Sequence, residues 1–311
     1  MSERVFVLNS YVWLYTFYSR KLPAVGETVP GHRLYESGGG KGVNQAYAAQ
    51  YEGAEVEIVG RVGDDPAGRM CFTECERVGV GCRYVQIDPE TPTGAGAILS
   101  DDAGNNEIVI VPGASDKFCP QDFEAARAYI ETCKIGGFQF EVNPETVAYA
   151  IRETHRMGIE TFLDPSPVVP FDEELYRSLT YIKPNEHEAS LLTGIPVSDV
   201  ASAAQAGRWF LDRGVNRAAI ITLGAQGCVL VTRDGHRHYP APEVPVLDTG
   251  CAGDTFAGSF IAAVAGGCSL EEAVRRASCL SALIVSRPGA MLTNFFNSDN
   301  DLAAIRANYH P

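Results

Sequence analysis

The alternation of short apolar runs with helical stretches constrains this chain more than any other feature. From about Asp122 a helical segment reaches Ile130, FQF follows, a helix begins at Pro144, and then come TFLD, YIK, AAIITL and GCVLVT with helical segments between them. Strand-length apolar runs interleaved with helices predict a mostly parallel sheet covered by helices on both faces. Earlier in the chain VFVLN (Val5 to Asn9), VEIVG, CRYVQ, GAGAILS and NEIVIV read as further short strands, and GDDPAGRM begins a helix after Pro66. The aromatic stretch from Tyr11 to Tyr18 continues the first strand until Pro23, Gly26 and Pro30 break the chain. No repeat, low-complexity tract or long linker divides the 311 residues, so a single α/β domain over 1–311 is expected.

In such sheets ligands gather at the carboxyl ends of the strands. Glu141 follows FQF, Asp164 follows TFL, Asn185 and Glu188 follow YIK, and Thr222 with Gly224 follows AAII. One polar strand end is a cap, whereas several in one sheet suggest a site. The stretch DTGCAGDTFAGSF, Asp248 to Phe260, adds a turn of small residues opening directly into a helix. A helix start has unpaired N–H groups and partial positive charge, so Gly250, Cys251, Ala252 and Gly253 would let a phosphoryl group approach the main chain. Asp254 in the first turn is placed to take a proton from an attacking hydroxyl, a pattern that suggests phosphoryl transfer to an alcohol. Ordinary capping chemistry has the same composition.

Charge narrows the partners. A formal net charge of −14 argues against nucleic acid and against an anionic membrane surface, since both need clustered Lys and Arg. The nine cysteines are scattered, with no CxxC pair and no His at ligand spacing, and read as reduced thiols of a cytoplasmic protein. The N-terminal run is interrupted by Asn9, Ser10 and Thr16, so neither a signal peptide nor a membrane span is expected. Near the start, GGGKGVNQAYAAQY runs from Gly38 into a helix. It lacks the spacing of a Walker loop, yet its glycines open the backbone to a ligand, and Lys41 and Asn44 offer donors. A mobile loop with a solvated Lys41 is the alternative.

Together these segments resemble the ribokinase-like (PfkB) carbohydrate kinases, from about Val5 to Thr293. GGKGVNQA (Gly39 to Ala46) is close to that family's first signature and DTGCAGD to its second. GRVGDD with Gly68, TPTG, VPGA, KPNEHE and TLGAQG look like family segments between and around them. The resemblance implies ATP-dependent phosphorylation of a hydroxymethyl group on a Rossmann-like three-layer core. It also implies a small β-sheet lid from about 11–37 and 93–111, often the contact of a homodimer. Tyr11, Trp13, Tyr15 and Phe17 alternate as a two-sided lid strand would, or as a core strand would.

Carried onto this chain, the resemblance makes Asp254 the general base, with the N–H groups of Ala252, Gly253 and Asp254 as an anion hole beside Cys251. Gly40, Lys41, Asn44 and Glu141 become sugar-binding positions, and Thr222, Gly224 and Gly227, with Asn185, nucleotide-binding ones. Asn185 and Glu188 match an NxxE element associated with Mg2+ through water, while Asp248, Gly250 and Gly289 fall where some members hold a monovalent cation such as K+.

The departures shape the expected acceptor. Counting back without gaps from LPAVGET, the family's sugar-clamping Asn and Asp are here Val12 and Leu14, so ribose is expected to be a poor acceptor. Pro92 stands where members acting on phosphorylated sugars tend to have Arg, which favours an unphosphorylated sugar. An apolar pair could also face a nucleobase, leaving a nucleoside kinase open, and a non-catalytic metabolite-binding homologue is the competing class. Cys251 replaces a Gly or Ala of the signature, and Ala277 an Asn that flanks adenine.

Overall fold

The computed structural model describes residues 3–287 and 299–311. Its strands are, in chain order, β1 (Arg4–Asn9), β2 (Val12–Ser19), β3 (Gly31–Gly39), β4 (Glu55–Gly63), β5 (Gly81–Asp88), β6 (Thr93–Asp101), β7 (Asn106–Gly113), β8 (Ile135–Phe138), β9 (Glu160–Leu163), β10 (Tyr181–Ile182), β11 (Ala218–Thr222), β12 (Cys228–Thr232) and β13 (Gly235–Tyr239). The α-helices are α1 (Lys41–Tyr51), α2 (Pro66–Val78), α3 (Pro120–Ala125), α4 (Arg127–Ile130), α5 (Pro144–Arg156), α6 (Glu186–Thr193), α7 (Val200–Asp212), α8 (Ala252–Ala265), α9 (Leu270–Val285) and α10 (Asp299–Asn308).

Among the described residues the main sheet runs β13-β12-β11-β10-β9-β8-β1-β4-β5, parallel except for the hairpin pairings at β11–β12 and β12–β13. β1 shows why this sheet needs two helical layers. Val5 and Val7 enter one apolar core with residues of α1, α8 and α9, whereas Phe6 and Leu8 enter the opposite core with residues of α3, α5 and α7. Side chains alternate across a strand, so a run apolar at every position must be covered on both faces. Strand order reverses at β1, which lies between β8 and β4, and the crevice beyond the carboxyl ends of β1 and β8 is the switch point where such sheets bind ligands.

A second sheet, β3-β2-β6-β7, stands off the core. The chain does not prolong β1 through the aromatic stretch: it leaves the main sheet at Ser10, and β2 pairs instead with β3 and β6. Tyr11 is the anchor of that departure, fully buried with its hydroxyl donating to Glu74 Oε2 of α2 at 2.9 Å. Trp13 is half-buried and donates to Glu36, while Tyr15 and Phe17 are exposed, so the alternation is that of a lid strand. Asp65 joins lid to core. It caps α2 through Gly68 N at 2.7 Å and accepts from both the N–H and the hydroxyl of Thr93, the first residue of β6, at 2.7 Å each. GDD and TPTG thus meet as a structural joint.

Three boundaries differ from the sequence reading. β8 ends at Phe138, leaving Gln139 and Phe140 beyond the strand. The helix to Ile130 is broken at Ala126 into α3 and α4. β13, GHRHY, carries too little apolar patterning to be foreseen, although Asp234–Gly235 at its start is a recognisable hairpin signal. No described helix is long and apolar enough to cross a membrane.

Candidate active site

The start of α8 is open to a cavity. Its N-cap, Cys251, contributes no capping side chain and holds φ at 57°, making it the one non-glycine residue with positive φ among those described. With no side-chain cap supplied by Cys251, the start of α8 borders a cavity of about 540 Å³ that Cys251, Ala252, Gly253 and Asp254 help to line. Asp254 is buried in that wall. Lys41 Nζ lies 3.4 Å from its Oδ1 and Asn44 Nδ2 3.1 Å from its Oδ2, so each carboxylate oxygen has a donor brought from α1. Asn44 Nδ2 also lies 3.2 Å from Cys251 Sγ. Burial, reinforced by the neighbouring Asp254, pushes the Cys251 thiol well above the usual range, the opposite of an activated thiol.

The start of α1 lies at the switch point. α1 also lacks a side-chain cap from its own N-cap, Gly40. Two remote side chains supply it: Glu141 Oε2 accepts from Lys41 N at 2.7 Å, and Ser10 Oγ accepts from Gly42 N at 3.3 Å while donating to Glu141 at 2.6 Å. Gly40 has φ 116°, and a Cβ there would run into the Ser10 carbonyl oxygen, so this glycine is required by the close approach of β1. Burial raises the Glu141 carboxyl above its ordinary range, against the lowering effect of Ser10, the Lys41 N–H and the Lys41 charge. Burial alone would lower the Lys41 ammonium. The carboxylates of Asp254, Asp164, Glu141 and Glu188 outweigh it and hold the group firmly charged.

Across the sheet the same cavity reaches Thr222, Gly224 and Gly227, with Val244 and Val246 on one wall and Ser278, Ser281 and Ala282 on another. Gly224 is open: a Cβ there would find only Glu186 Oε1, at 3.8 Å. Gly227 has a different reason, because its Cβ would strike the Tyr239 carbonyl oxygen of the β12–β13 hairpin. Asn185 and Glu188 form a reciprocal capping box at α6. Asn185 Oδ1 accepts from Glu188 N at 2.8 Å and Glu188 Oε2 from Asn185 N at 2.9 Å, which leaves the Asn185 amide nitrogen and Glu188 Oε1 for the cavity. Asp248 is occupied as a turn acceptor for Gly250 N at 2.8 Å, and Gly289 lies outside the described residues. Among the described residues no cluster of three His, Cys, Asp or Glu side chains is arranged to hold a metal.

A model of the pfkB family carbohydrate kinases matches residues 5–294. The chain belongs to that family. It is 33% identical over 288 residues to a ribokinase of Mus musculus, spanning 91% of this chain and 89% of the relative. A ribokinase of Bacillus subtilis is 36% identical over 274 residues, spanning 88% and 89%. An Arabidopsis thaliana ribokinase complexed with ribose and ATP superposes with a TM-score of 0.87 at 28% identity, covering 98% of this chain and 99% of that one. This carbohydrate kinase is therefore an ATP-dependent phosphotransferase with the ribokinase-like α/β fold and its small lid sheet. A non-catalytic binding role is left without support.

The expectation that ribose is a poor acceptor is overturned by these ribokinase relatives and by the ribose-bound structure. It rested on one strand, on Val12 and Leu14 standing in place of an Asn and an Asp. In the structure, Ser10, Lys41, Asn44, Glu141 and Asp254 bring polar groups together at the switch point from elsewhere in the fold. Leu14 meanwhile packs over two lid glycines: a Cβ on Gly39 or Gly96 would lie 2.7 or 2.6 Å from its methyl groups. Ala277 is fully buried in the core, and its neighbours Ser278 and Ser281 face the cavity instead. Sequence reasoning missed Ser10, Lys183 and Ser281. Ser10 adjoins a strand end and Lys183 opens KPNEHE, so both carried a positional signal; Ser281, mid-helix, carried none.

Proposed function

We propose that this kinase transfers the γ-phosphoryl group of ATP to the exocyclic hydroxymethyl group of an unphosphorylated pentose, with ribose as acceptor. The observation that carries the reading is Asp254: a buried carboxylate in the first turn of a helix whose N–H groups are uncapped, held between Lys41 and Asn44. Asp254 accepts the proton of the attacking hydroxyl, and the N–H groups of Ala252, Gly253 and Asp254 receive charge developing on the transferred group. Lys41, Asn44, Glu141 and the Gly40 main chain bind and orient the sugar, and Pro92, in place of a cation, suits an acceptor without a phosphate. Thr222, Gly224, Gly227 and Asn185 hold the nucleotide. The free atoms of Asn185 and Glu188 would orient water on a Mg2+ ion that neutralises the phosphates. A K+ ion would be held near Asp248 and Gly250.

The chain works as one unit over 1–311 and as a homodimer through the lid, whose Tyr15, Phe17, Leu34 and Ile108 to Val111 are exposed. Nine unpaired cysteines suit a cytoplasmic setting. The test is ADP formation from ATP and Mg2+ with ribose, deoxyribose, hexoses and nucleosides, with Asp254→Asn alongside. Ribose-dependent turnover that the variant loses by about a thousandfold supports the reading. Ribose-independent ADP release equal in both proteins would sink it.

A further inference from the structure

Lys183 and Asp164 form an ion pair that the reaction as described does not use. Lys183 directly follows β10 and Asp164 directly follows β9, neighbouring strands of the sheet. Their side chains are 4% and 1% exposed, with Lys183 Nζ 3.3 Å from Asp164 Oδ2. Both nonetheless line the cavity. Lys183 Nζ also donates to the carbonyl oxygen of Gly253 at 3.2 Å, in the first turn of α8. Asp164 Oδ2 accepts in addition from Gln45 Nε2 at 3.3 Å, and Gln45 Oε1 from Gln139 Nε2 at 2.9 Å, so the pair is tied back to α1 and to the end of β8. Asp164 Oδ1 is buried without a partner.

A buried ion pair of this kind is poor material for stability alone, because apolar residues of the same volume often do as well. Its contacts point elsewhere. The carbonyl of Gly253 and the N–H of Asp254 belong to one rigid peptide plane, so the atom that holds the first aims the second. That N–H is one of the three donors at the uncapped start of α8. The ammonium also sets a full positive charge, shielded from solvent, beside the partial charge of the helix terminus.

We propose that Lys183 is a positioning residue for phosphoryl transfer, which aims the Gly253–Asp254 peptide and strengthens the anion cradle, and that Asp164 holds Lys183 in place. This rests on the kinase reading of the α8 cradle. The pair acts when charge develops on the transferred group, so its loss falls on kcat and leaves the sugar's KM nearly untouched.

The experiment compares wild type with Lys183→Met, Lys183→Arg, the double variant Lys183→Met/Asp164→Asn, and Asp254→Asn. The double variant strands no charge, so it separates folding from function if Lys183→Met alone is unstable. For both Met-containing proteins kcat falls about 100-fold with the KM for ribose within about threefold, and Lys183→Arg recovers most of the loss. Binding of ADP with aluminium fluoride, a mimic of the phosphoryl group in transit, weakens in parallel while ADP alone binds as before. A double variant with kcat within threefold of wild type would overturn the proposal, as would a loss confined to the ribose KM. Full activity in Asp254→Asn would instead overturn the site assignment beneath it.

Discussion

Replacing Asp65 tests whether the lid is held to the core by one carboxylate. In the folded chain its Oδ1 accepts from Gly68 N and from the Thr93 hydroxyl, and its Oδ2 accepts from Thr93 N, all at 2.7 Å. Asp65→Ala removes a helix cap worth about 1 kcal/mol. It also deprives Thr93, 7% exposed, of two partners, for roughly another 2 to 3 kcal/mol. The Thr93 hydroxyl would still accept from Gly63 N at 2.9 Å, so that end of the joint survives. A total of about 3 to 4 kcal/mol corresponds to a fall in Tm of roughly 8 °C for a chain of this size. Asp65→Asn keeps one acceptor oxygen and should lose about half as much.

Hydrogen bonds from Gly68 and Thr93 lower the Asp65 carboxyl in spite of its partial burial, so its contribution is present above the unfolded value near 4 and fades as pH falls through the folded one. The assay is thermal unfolding of the three proteins between pH 5 and pH 8, with ribose kinetics at the optimum. The gap between wild type and Asp65→Ala should be constant over that range, and the variant's ribose KM should rise because β6 is no longer anchored. A gap under about 2 °C, or one that widens toward pH 5, would refute the reasoning.

Other substitutions probe separate links. Burial raises the Glu141 carboxyl, so the group favours the folded state below its unfolded value and opposes it as pH climbs through the folded one. Glu141→Gln should therefore raise Tm more at pH 8 than at pH 5 while weakening ribose binding about tenfold; equal gains at both pH values would contradict this. Gly227→Ala, at φ 87° against the Tyr239 carbonyl, should cost about 3 kcal/mol or more in urea unfolding. Gly224→Ala, facing open space at φ 52°, should cost only about 1 to 2 kcal/mol and raise the ATP KM; the reverse order would count against the assigned reasons. Val109→Lys on exposed β7 should convert the proposed lid homodimer to monomer by light scattering, and a dimer left unchanged would move the contact away from this strand.

What the sequence determined by itself is whatever depends on neighbours a few residues away. The alternation of apolar runs and helices is a short-range periodicity, so the layered parallel sheet was legible. The Asn185–Glu188 box closes over three residues, and Asp254 lies within one turn of Cys251, so both local arrangements were visible in their motifs. Tertiary structure decided the rest. Lys41 N is capped by Glu141, 100 residues away, and Gly253 O is held by Lys183, 70 residues away. Neither pairing leaves a mark in local spacing. Gly40 and Gly227 were legible as glycines, but the chain packed against each, Ser10 and Tyr239, appears only once β1 and the β12–β13 hairpin are in place. The mistaken expectation that ribose is a poor acceptor has the same origin. Val12 and Leu14 describe one strand, whereas Ser10 just past β1, Glu141 beyond β8, Lys41 and Asn44 of α1 and Asp254 of α8 converge where strand order reverses. Convergence of that kind is set by how the sheet is wound, and no window along the chain contains it.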